Sequence, residues 1–212
     1  MKKKSGRNNW ADHYTRQAKK ENYVARSVFK LKEIQKKFKV LAKGQRVLDL
    51  GCAPGSWMQY AAEVTSPSGR VVGIDLKAVG GSWPGHVVHL QGDVYDALAD
   101  LKAEAPEGFN AVISDMAPAT TGIHHVDTAR SENLSRMALE VAAHLLVPGG
   151  NFICKIFQGP DFQAYVNDVR TRFERHGILK PQSTRKGSRE IFIIGLGWKG
   201  ARPIDGTDAE FV

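Results

Sequence analysis

Residues 46–57 read Arg-Val-Leu-Asp-Leu-Gly-Cys-Ala-Pro-Gly-Ser-Trp. Val47-Leu48-Asp49-Leu50 has the short, apolar look of a parallel strand buried on both faces. Gly51 and Gly55 then open a tight loop, and residues 57–64 begin a helix. Strand, glycine loop and helix in that order form the first unit of a doubly wound α/β fold. In such folds ligands sit at the carboxyl ends of the strands. The expected class is therefore a Rossmann-like α/β sandwich with helices on both faces of the sheet.

The loop chemistry narrows the ligand. A dinucleotide fingerprint G-x-G-x-x-G would place glycine at 51, 53 and 56. This chain has Gly51, Ala53 and Ser56, and Pro54 has no N–H to offer a pyrophosphate. A loop that permits close approach without cradling phosphate suits S-adenosylmethionine, which carries an adenosine, an amino-acid tail and a sulfonium but no phosphate. Asp75 ends the next apolar run, Val71-Val72-Gly73-Ile74. It falls about 20 residues beyond the glycines, where a ribose-binding carboxylate is expected. The competing readings are a similar loop that binds NAD or one that binds nothing.

Charge points to a polyanionic partner. The 212-residue chain has a formal charge of +8. Residues 1–43 hold 14 Lys/Arg against Asp12, Glu21 and Glu33, which is +11, and the remainder is −3 with 16 Lys/Arg against 19 acids. A basic segment on a near-neutral body is the electrostatic footprint of a nucleic-acid-binding enzyme; the alternative is a solubilising arm. Cys52 and Cys154 cannot build a disulfide framework and read as reduced, buried residues of a cytoplasmic protein. The basic start is followed by polar sequence rather than a signal-type apolar region. The longest apolar patch, residues 138–147, is too short to span a bilayer.

Taken in order, residues 1–12 are expected to be a disordered basic tail. Residues 14–39 read as one helix, with Val28, Leu31, Ile34 and Phe38 at helical spacing, broken by Gly44. Further strands are expected at 71–75, 87–90, 111–114, 151–157 and 190–196, with a short one at 178–181. Helices are expected at 95–103, at 132–147 and from a cap at Asp161 to His176, where Gly177 would stop the chain. Residues 119–130 lack periodicity and read as a loop beside the site. Residues 182–189, Gln-Ser-Thr-Arg-Lys-Gly-Ser-Arg, form a basic loop. The organisation expected is a basic docking segment over 1–43, one catalytic domain over 44–197 and a mobile tail over 198–212.

Four charges stand where charge is costly. Lys155 interrupts the apolar strand Phe152-Ile153-Cys154-Lys155-Ile156-Phe157, so it must be paired or shift its pKa. Asp115 ends a neighbouring strand, Glu190 begins the last one and Lys30 lies on the helix before the first. Convergence would hold a lysine between two carboxylates beside the cofactor, a geometry suited to methyl transfer onto a hydroxyl. Each charge alone reads as an ordinary ion pair.

The motifs S-V-F-K, D-L-G-C-A-P-G-S-W, G-I-D-L, L-Q-G-D, S-D-M-A-P, C-K-I-F-Q-G and S-R-E-I-F together resemble the RrmJ/FtsJ family of S-adenosylmethionine-dependent ribosomal RNA 2′-O-methyltransferases. The resemblance covers residues 10–197. It implies a mostly parallel seven-stranded sheet with an antiparallel member near its end, and methylation of a uridine ribose in the A-loop of 23S rRNA. It implies Lys155 as the catalytic lysine, Asp115 and Glu190 as the groups that hold it, and Lys30 as a substrate-positioning group. Gly51, Gly55 and Trp57 would serve the cofactor loop, Asp75 the ribose and Asp93 the adenine side, with Asp115 also touching the cofactor. The implied partner is ribosomal RNA in the large subunit, with a monomeric protein and no membrane or metal. Ser56 departs from the commoner second glycine, Ala119 from the usual Asn, and Ile-His-His-Val-Asp-Thr-Ala-Arg from a loop that more often carries proline.

Rival chemistries fit less well. D-M-A-P lacks the aromatic residue expected for exocyclic-amine methylation. Neither cysteine is placed as a nucleophile for pyrimidine C5. His124 and His125 with two separated cysteines make no tetrahedral metal set. Ribose methylation of another RNA, or a non-catalytic assembly factor, remains the alternative.

Overall fold

The computed structural model describes residues 7–185 and 187–200. Its centre is β1 (Arg46–Leu50), paired in parallel with β2 (Arg70–Asp75) on one side and β4 (Phe109–Ser114) on the other. With β3 (Val87–Gln91), β5 (Leu146–Phe157), β6 (Phe173–Leu179) and β7 (Glu190–Trp198), the order is β3-β2-β1-β4-β5-β7-β6. Among the described residues only β7 runs antiparallel, inserted between β5 and β6. The expected seven-stranded α/β fold, with its antiparallel member, is what the chain adopts.

Strand alternation divides the apolar residues between two layers. Val47, Ala111, Ile113, Ile153 and Phe192 face a layer built by α2 (Val28–Phe38) and α3 (Ser56–Thr65). Leu48, Val112, Phe152 and Ile156 face α4 (Leu98–Glu104), α5 (His124–Leu145) and α6 (Phe162–Arg172). Both faces being covered explains why the central strands are continuously apolar.

Several expected boundaries move, each for a local reason. The single helix over 14–39 is two: α1 (Arg7–Lys20) and α2. Asn22 takes a left-handed conformation (φ 61), Tyr23 N–H donates to the Ala18 carbonyl (2.8 Å) and Asn22 N–H to that of Lys19 (3.2 Å). That is a Schellman stop with Asn in place of Gly. Residues 7–12 are helical rather than a tail, and residues 1–6 lie outside the described chain. The helix expected from residue 95 begins at Leu98, after the Asp93 carboxylate accepts the Tyr95 N–H (2.9 Å) and holds a turn.

Nor is 119–130 all loop. α5 starts at His124 because the buried Asp127 carboxylate reaches back to Thr121 N–H (2.7 Å), Thr121 Oγ1 (2.9 Å) and Gly122 N–H (3.2 Å). β5 begins at Leu146, opposite Phe109, and bulges through Pro148-Gly149-Gly150 before resuming at Asn151. α6 ends at Arg172, and Asp161 stands at its N-cap without a side-chain capping bond. Gly177, expected to stop that helix, lies inside β6, where a Cβ would collide with the Phe38 ring. Trp198 is buried, so β7 extends past 197 into the expected tail; residues 201–212 lie outside the described chain.

At the far edge of the sheet, Phe173 stacks on Phe152 (ring centroids 5.9 Å apart) and tilts against Trp198 (5.1 Å). A Cβ on Gly195 would sit 2.6 Å from the Phe173 ring. Gly195→Ala is expected to lower stability by about 1–3 kcal/mol through overpacking, read as a lower urea midpoint at unchanged slope. An unchanged midpoint would show that the aromatic stack is free to move.

Candidate active site

The register of the sheet assembles the four charges. Ser114, the last residue of β4, pairs with Cys154, which sets Asp115 beside Lys155. Lys155 stands opposite Phe192 and Phe157 opposite Glu190 across the antiparallel pair, so all four side chains share the face covered by α2 and α3. Lys30 reaches that face from the first turn of α2. Lys155 Nζ lies 2.8 Å from Asp115 Oδ1 and also donates to the Asp115 carbonyl. Lys30 Nζ lies 3.4 Å from the same carboxylate oxygen and 2.9 Å from Glu190 Oε1. The lysine held between two carboxylates is thus Lys30, whereas Lys155 is held by Asp115.

Burial and pairing compete at these groups. Burial pushes the Asp115 carboxyl up, but Lys155 and Lys30 more than offset it and hold the group below the ordinary carboxylate range. Burial pulls the Lys30 amine down, and Asp115 and Glu190 reverse this, leaving it above its ordinary value. By linkage, Asp115 stabilises the fold above its unfolded pKa near 4 and loses that contribution as pH falls through its folded value. Lys30 stabilises below its unfolded pKa near 10.4 and loses that contribution as pH rises through its higher folded value. Asp115 and Lys30 are therefore both charged at neutral pH.

Beyond Cys154, β5 has outrun β4 and needs other partners. α5 supplies them: Ser135 Oγ donates to the Lys155 carbonyl (3.1 Å), and Ser131 Oγ accepts the Phe157 N–H (2.9 Å). The buried Tyr165 hydroxyl then donates to the Ser135 carbonyl (2.9 Å). These hydroxyls fix the backbone that carries Lys155. Nothing in the helical periodicity of residues 132–147 announces them.

Asp115 also lines a cavity of about 560 Å³ at the carboxyl ends of β1 to β4, together with Gly51, Ala53, Asp75, Asp93 and Met116. Gly51 (φ +71) has no room for a Cβ because the Met116 side chain packs on it. Asp75 Oδ2 accepts the Ala53 N–H (2.9 Å) and Oδ1 the Lys77 N–H (2.9 Å). One loop donor is thereby committed to Asp75 and Pro54 has none, which disfavours a pyrophosphate and leaves room for a ligand without one. Gly55 (φ +108) is buried, and a Cβ there would meet Trp83 and Val79 at 2.9 Å. Trp57 is buried; its Nε1–H donates to the Ser27 carbonyl (2.9 Å) and its ring packs 5.8 Å from Phe192. Trp57 is therefore an anchor beneath the loop, and neither it nor Gly55 walls the larger cavity.

A smaller cavity of about 40 Å³ adjoins, lined by Asp49, Asp115, Ser27, Ser56 and Trp57 among others. Asp49 is 1 % exposed, and its Oδ2 has no hydrogen-bond partner. Burial, then the charges of Asp115 and Asp75, push its carboxyl well above the ordinary range. Read from sequence, Asp49 passes for an ordinary strand residue. The logic applied to Lys155, a charge inside an apolar strand, is the signal that finds it. Among the described residues no cluster of three or more His, Cys, Asp or Glu could hold a metal, and no helix is long and apolar enough to cross a membrane.

A seven-stranded sheet of this order, with acids at the carboxyl ends of its first strands and a buried lysine network beside them, defines a Rossmann-like methyltransferase-type domain. The FtsJ-like methyltransferase family model matches residues 23–198, and the chain belongs to that family. It is 56% identical over 196 residues to ribosomal RNA large subunit methyltransferase E of Desulforapulum autotrophicum, covering 92% of this chain and 97% of that protein. The protein of the same name from Desulfatibacillum aliphaticivorans is 50% identical over 198 residues, covering 93% and 96%. Among solved structures, a Plasmodium falciparum protein described as a ribosomal RNA methyltransferase superposes with a TM-score of 0.73 at 25% identity, covering 84% of this chain and all of that one.

Because the Asp49 carboxyl is raised in the folded state, stability falls as pH climbs above the ordinary carboxylate range. Asp49→Asn keeps an acceptor and removes the buried charge. It is expected to unfold at a higher temperature than wild type at pH 8, with the gap closing towards pH 4. An equal or lower melting temperature at pH 8 would mean that Asp49 is not held as a costly charge.

Proposed function

We propose that the protein is an S-adenosylmethionine-dependent 2′-O-methyltransferase of ribosomal RNA, acting on a uridine ribose of the 23S A-loop in the large subunit. The observation that carries this reading is the Lys155–Asp115–Lys30–Glu190 network opening, through Asp115, onto a cavity edged by Asp75 and Asp93. We assign S-adenosylmethionine to that cavity, where it supplies a methyl group on a sulfonium. Asp75 and Asp93 offer carboxylate acceptors for its adenosine, and the orphan Asp49 oxygen suits its amino-acid ammonium.

The residues then divide the labour. Lys155, fixed by Asp115 and by the α5 serines, orients the ribose hydroxyl and assists loss of its proton. Lys30, held above its ordinary pKa, stays an ammonium and offsets negative charge at the oxygen or the adjacent phosphate. Glu190 keeps Lys30 in place. When bound, the cofactor would supply a methyl group to the hydroxyl oxygen and keep the carbon–sulfur bonding pair as a thioether, while the O–H proton would pass to solvent beside Lys155. The basic segment over 1–43 docks the RNA. We place the protein in the cytoplasm as a monomer.

Lys155→Ala is expected to abolish methyl incorporation into large subunits or 23S rRNA, while RNA affinity stays within about threefold. Mapping ribose methylation in the product identifies the nucleotide. Wild-type protein that binds RNA and transfers no methyl would turn the reading towards a non-catalytic assembly factor. RNA affinity should also fall with salt at a log–log slope of about −0.7 for each single-strand phosphate contact; a flat response would remove the docking role of the basic segment.

A further inference from the structure

A second cleft, of about 360 Å³, lies against the cavity at the ends of β1 to β4. One side of it is a face of α5: Arg130, Asn133, Leu134 and Met137 recur at helical spacing. Tyr95, from the segment after β3, and Pro118, from the segment after β4, complete the lining. Tyr95, Leu134 and Met137 also line the larger cavity, so the two spaces share a wall. Arg130, Asn133 and Pro118 line the second cleft and not the first. The walls are fixed from behind. Asp93 holds the Tyr95 N–H (2.9 Å), and Arg130 Nη1 donates to the Ala119 carbonyl (3.4 Å), tying the segment after Pro118 to α5. Ser131 and Ser135 bond the same helix to β5.

The chemistry of this lining is that of a nucleobase site. Tyr95 leaves 50 % of its surface exposed, and Leu134 and Met137 are half-buried, so flat and apolar surface is on offer. Beside it stand groups that bond a base edge. The Asn133 amide is exposed, carries both donors and an acceptor, and makes no hydrogen bond among the described residues. Arg130 has five N–H donors, of which the Ala119 carbonyl takes one. A single cation beside a neutral amide and an aromatic ring is a poor phosphate trap. The same set stacks an unpaired base and hydrogen-bonds its edge. The cleft is also in the right place for substrate. Pro118 follows Asp115 by three residues, so the cleft and the lysine network open at one rim of the sheet.

We propose that this cleft is a nucleobase subsite that takes an unstacked RNA base from beside the methylated nucleotide, with Tyr95 stacking on its face and Asn133 and Arg130 bonding its edge. The subsite gives α5 a part in choosing the sequence that is methylated, apart from the charge-driven docking by the basic N-terminal segment. It rests on the reading that RNA is the substrate.

The test titrates the full-length protein at low salt with an A-loop hairpin of 23S rRNA, and with hairpins in which each nucleotide flanking the target uridine is made abasic in turn. Tyr95 and Asn133 are exposed, so their variants are expected to fold. Tyr95→Ala should raise the Kd for the intact hairpin about fivefold or more. Tyr95→Phe should stay near wild type, because stacking needs the ring and not the hydroxyl. At one abasic position the wild type should lose that same factor and Tyr95→Ala nothing further, the signature of a coupled pair. Asn133→Ala should also raise the Kd about fivefold or more, with an unchanged salt slope because no charge is removed, and with an unchanged cofactor Kd. Losses that simply add at every abasic position would overturn the subsite. A weaker cofactor Kd in Asn133→Ala would overturn it by giving the cleft to the cofactor. A loss seen with assembled large subunits and not with the hairpin would overturn it in favour of a protein contact. Wild-type protein that binds the hairpin without methyl transfer would sink the assigned reaction and leave the subsite to be judged by the Tyr95 coupling.

Discussion

One carboxylate oxygen, Asp115 Oδ1, lies within 2.8 Å of one buried ammonium and 3.4 Å of another. Placing an amine in a sheet interior costs several kcal/mol unless opposite charge and hydrogen bonds surround it. Asp115 alone cannot neutralise two amines, and Glu190 completes the balance from the strand that runs the other way. The set of two amines and two carboxylates is compact and shielded. Much of the architecture can be understood as the means of holding it there. β4 stops one residue short of Asp115, α2 delivers Lys30, and α5 takes over the backbone bonds that β4 no longer reaches.

The glycine loop answers a different demand. It has to let a ligand approach the end of β1 without presenting a phosphate cradle. Gly51 yields its Cβ space to Met116, and Asp75 ties down the Ala53 amide. Trp57 lines the smaller cavity, underlies the loop and links it to α2 through the Ser27 carbonyl; Ser27 and Ser56 hydroxyls add a second link at 2.8 Å. The helix carrying Lys30 and the loop beside the cavity are therefore joined by two hydrogen bonds.

The features legible in the chain share a physical character. The strand-loop-helix unit, the acids at strand ends and the lysine in an apolar strand are visible because each sets a local rule against its surroundings. Asp49 escapes notice because a single acid in a short apolar run looks like strand edge until its burial is known. The start of α5 is hidden because Asp127 makes that turn with backbone amides, which leaves no apolar period. β6 reads as helix because Phe173-Glu-Arg-His-Gly continues a helix acceptably by propensity. Pairing with β7 and the Phe38 ring over Gly177, both distant in sequence, decide otherwise.

The reversed direction of β7 has a consequence for how such a site can diversify. β1, β3, β4 and β5 reach the active rim with their last residues, and the chain beyond each leads into a helix. β7 arrives at the rim with its first residue, Glu190, and the segment ahead of it is free of that obligation. Residues 182–189 can change in length and composition while Glu190 stays locked opposite Phe157. A domain of this type can thus acquire new substrate preferences through one hairpin connection, with its methyl-transfer chemistry left in place.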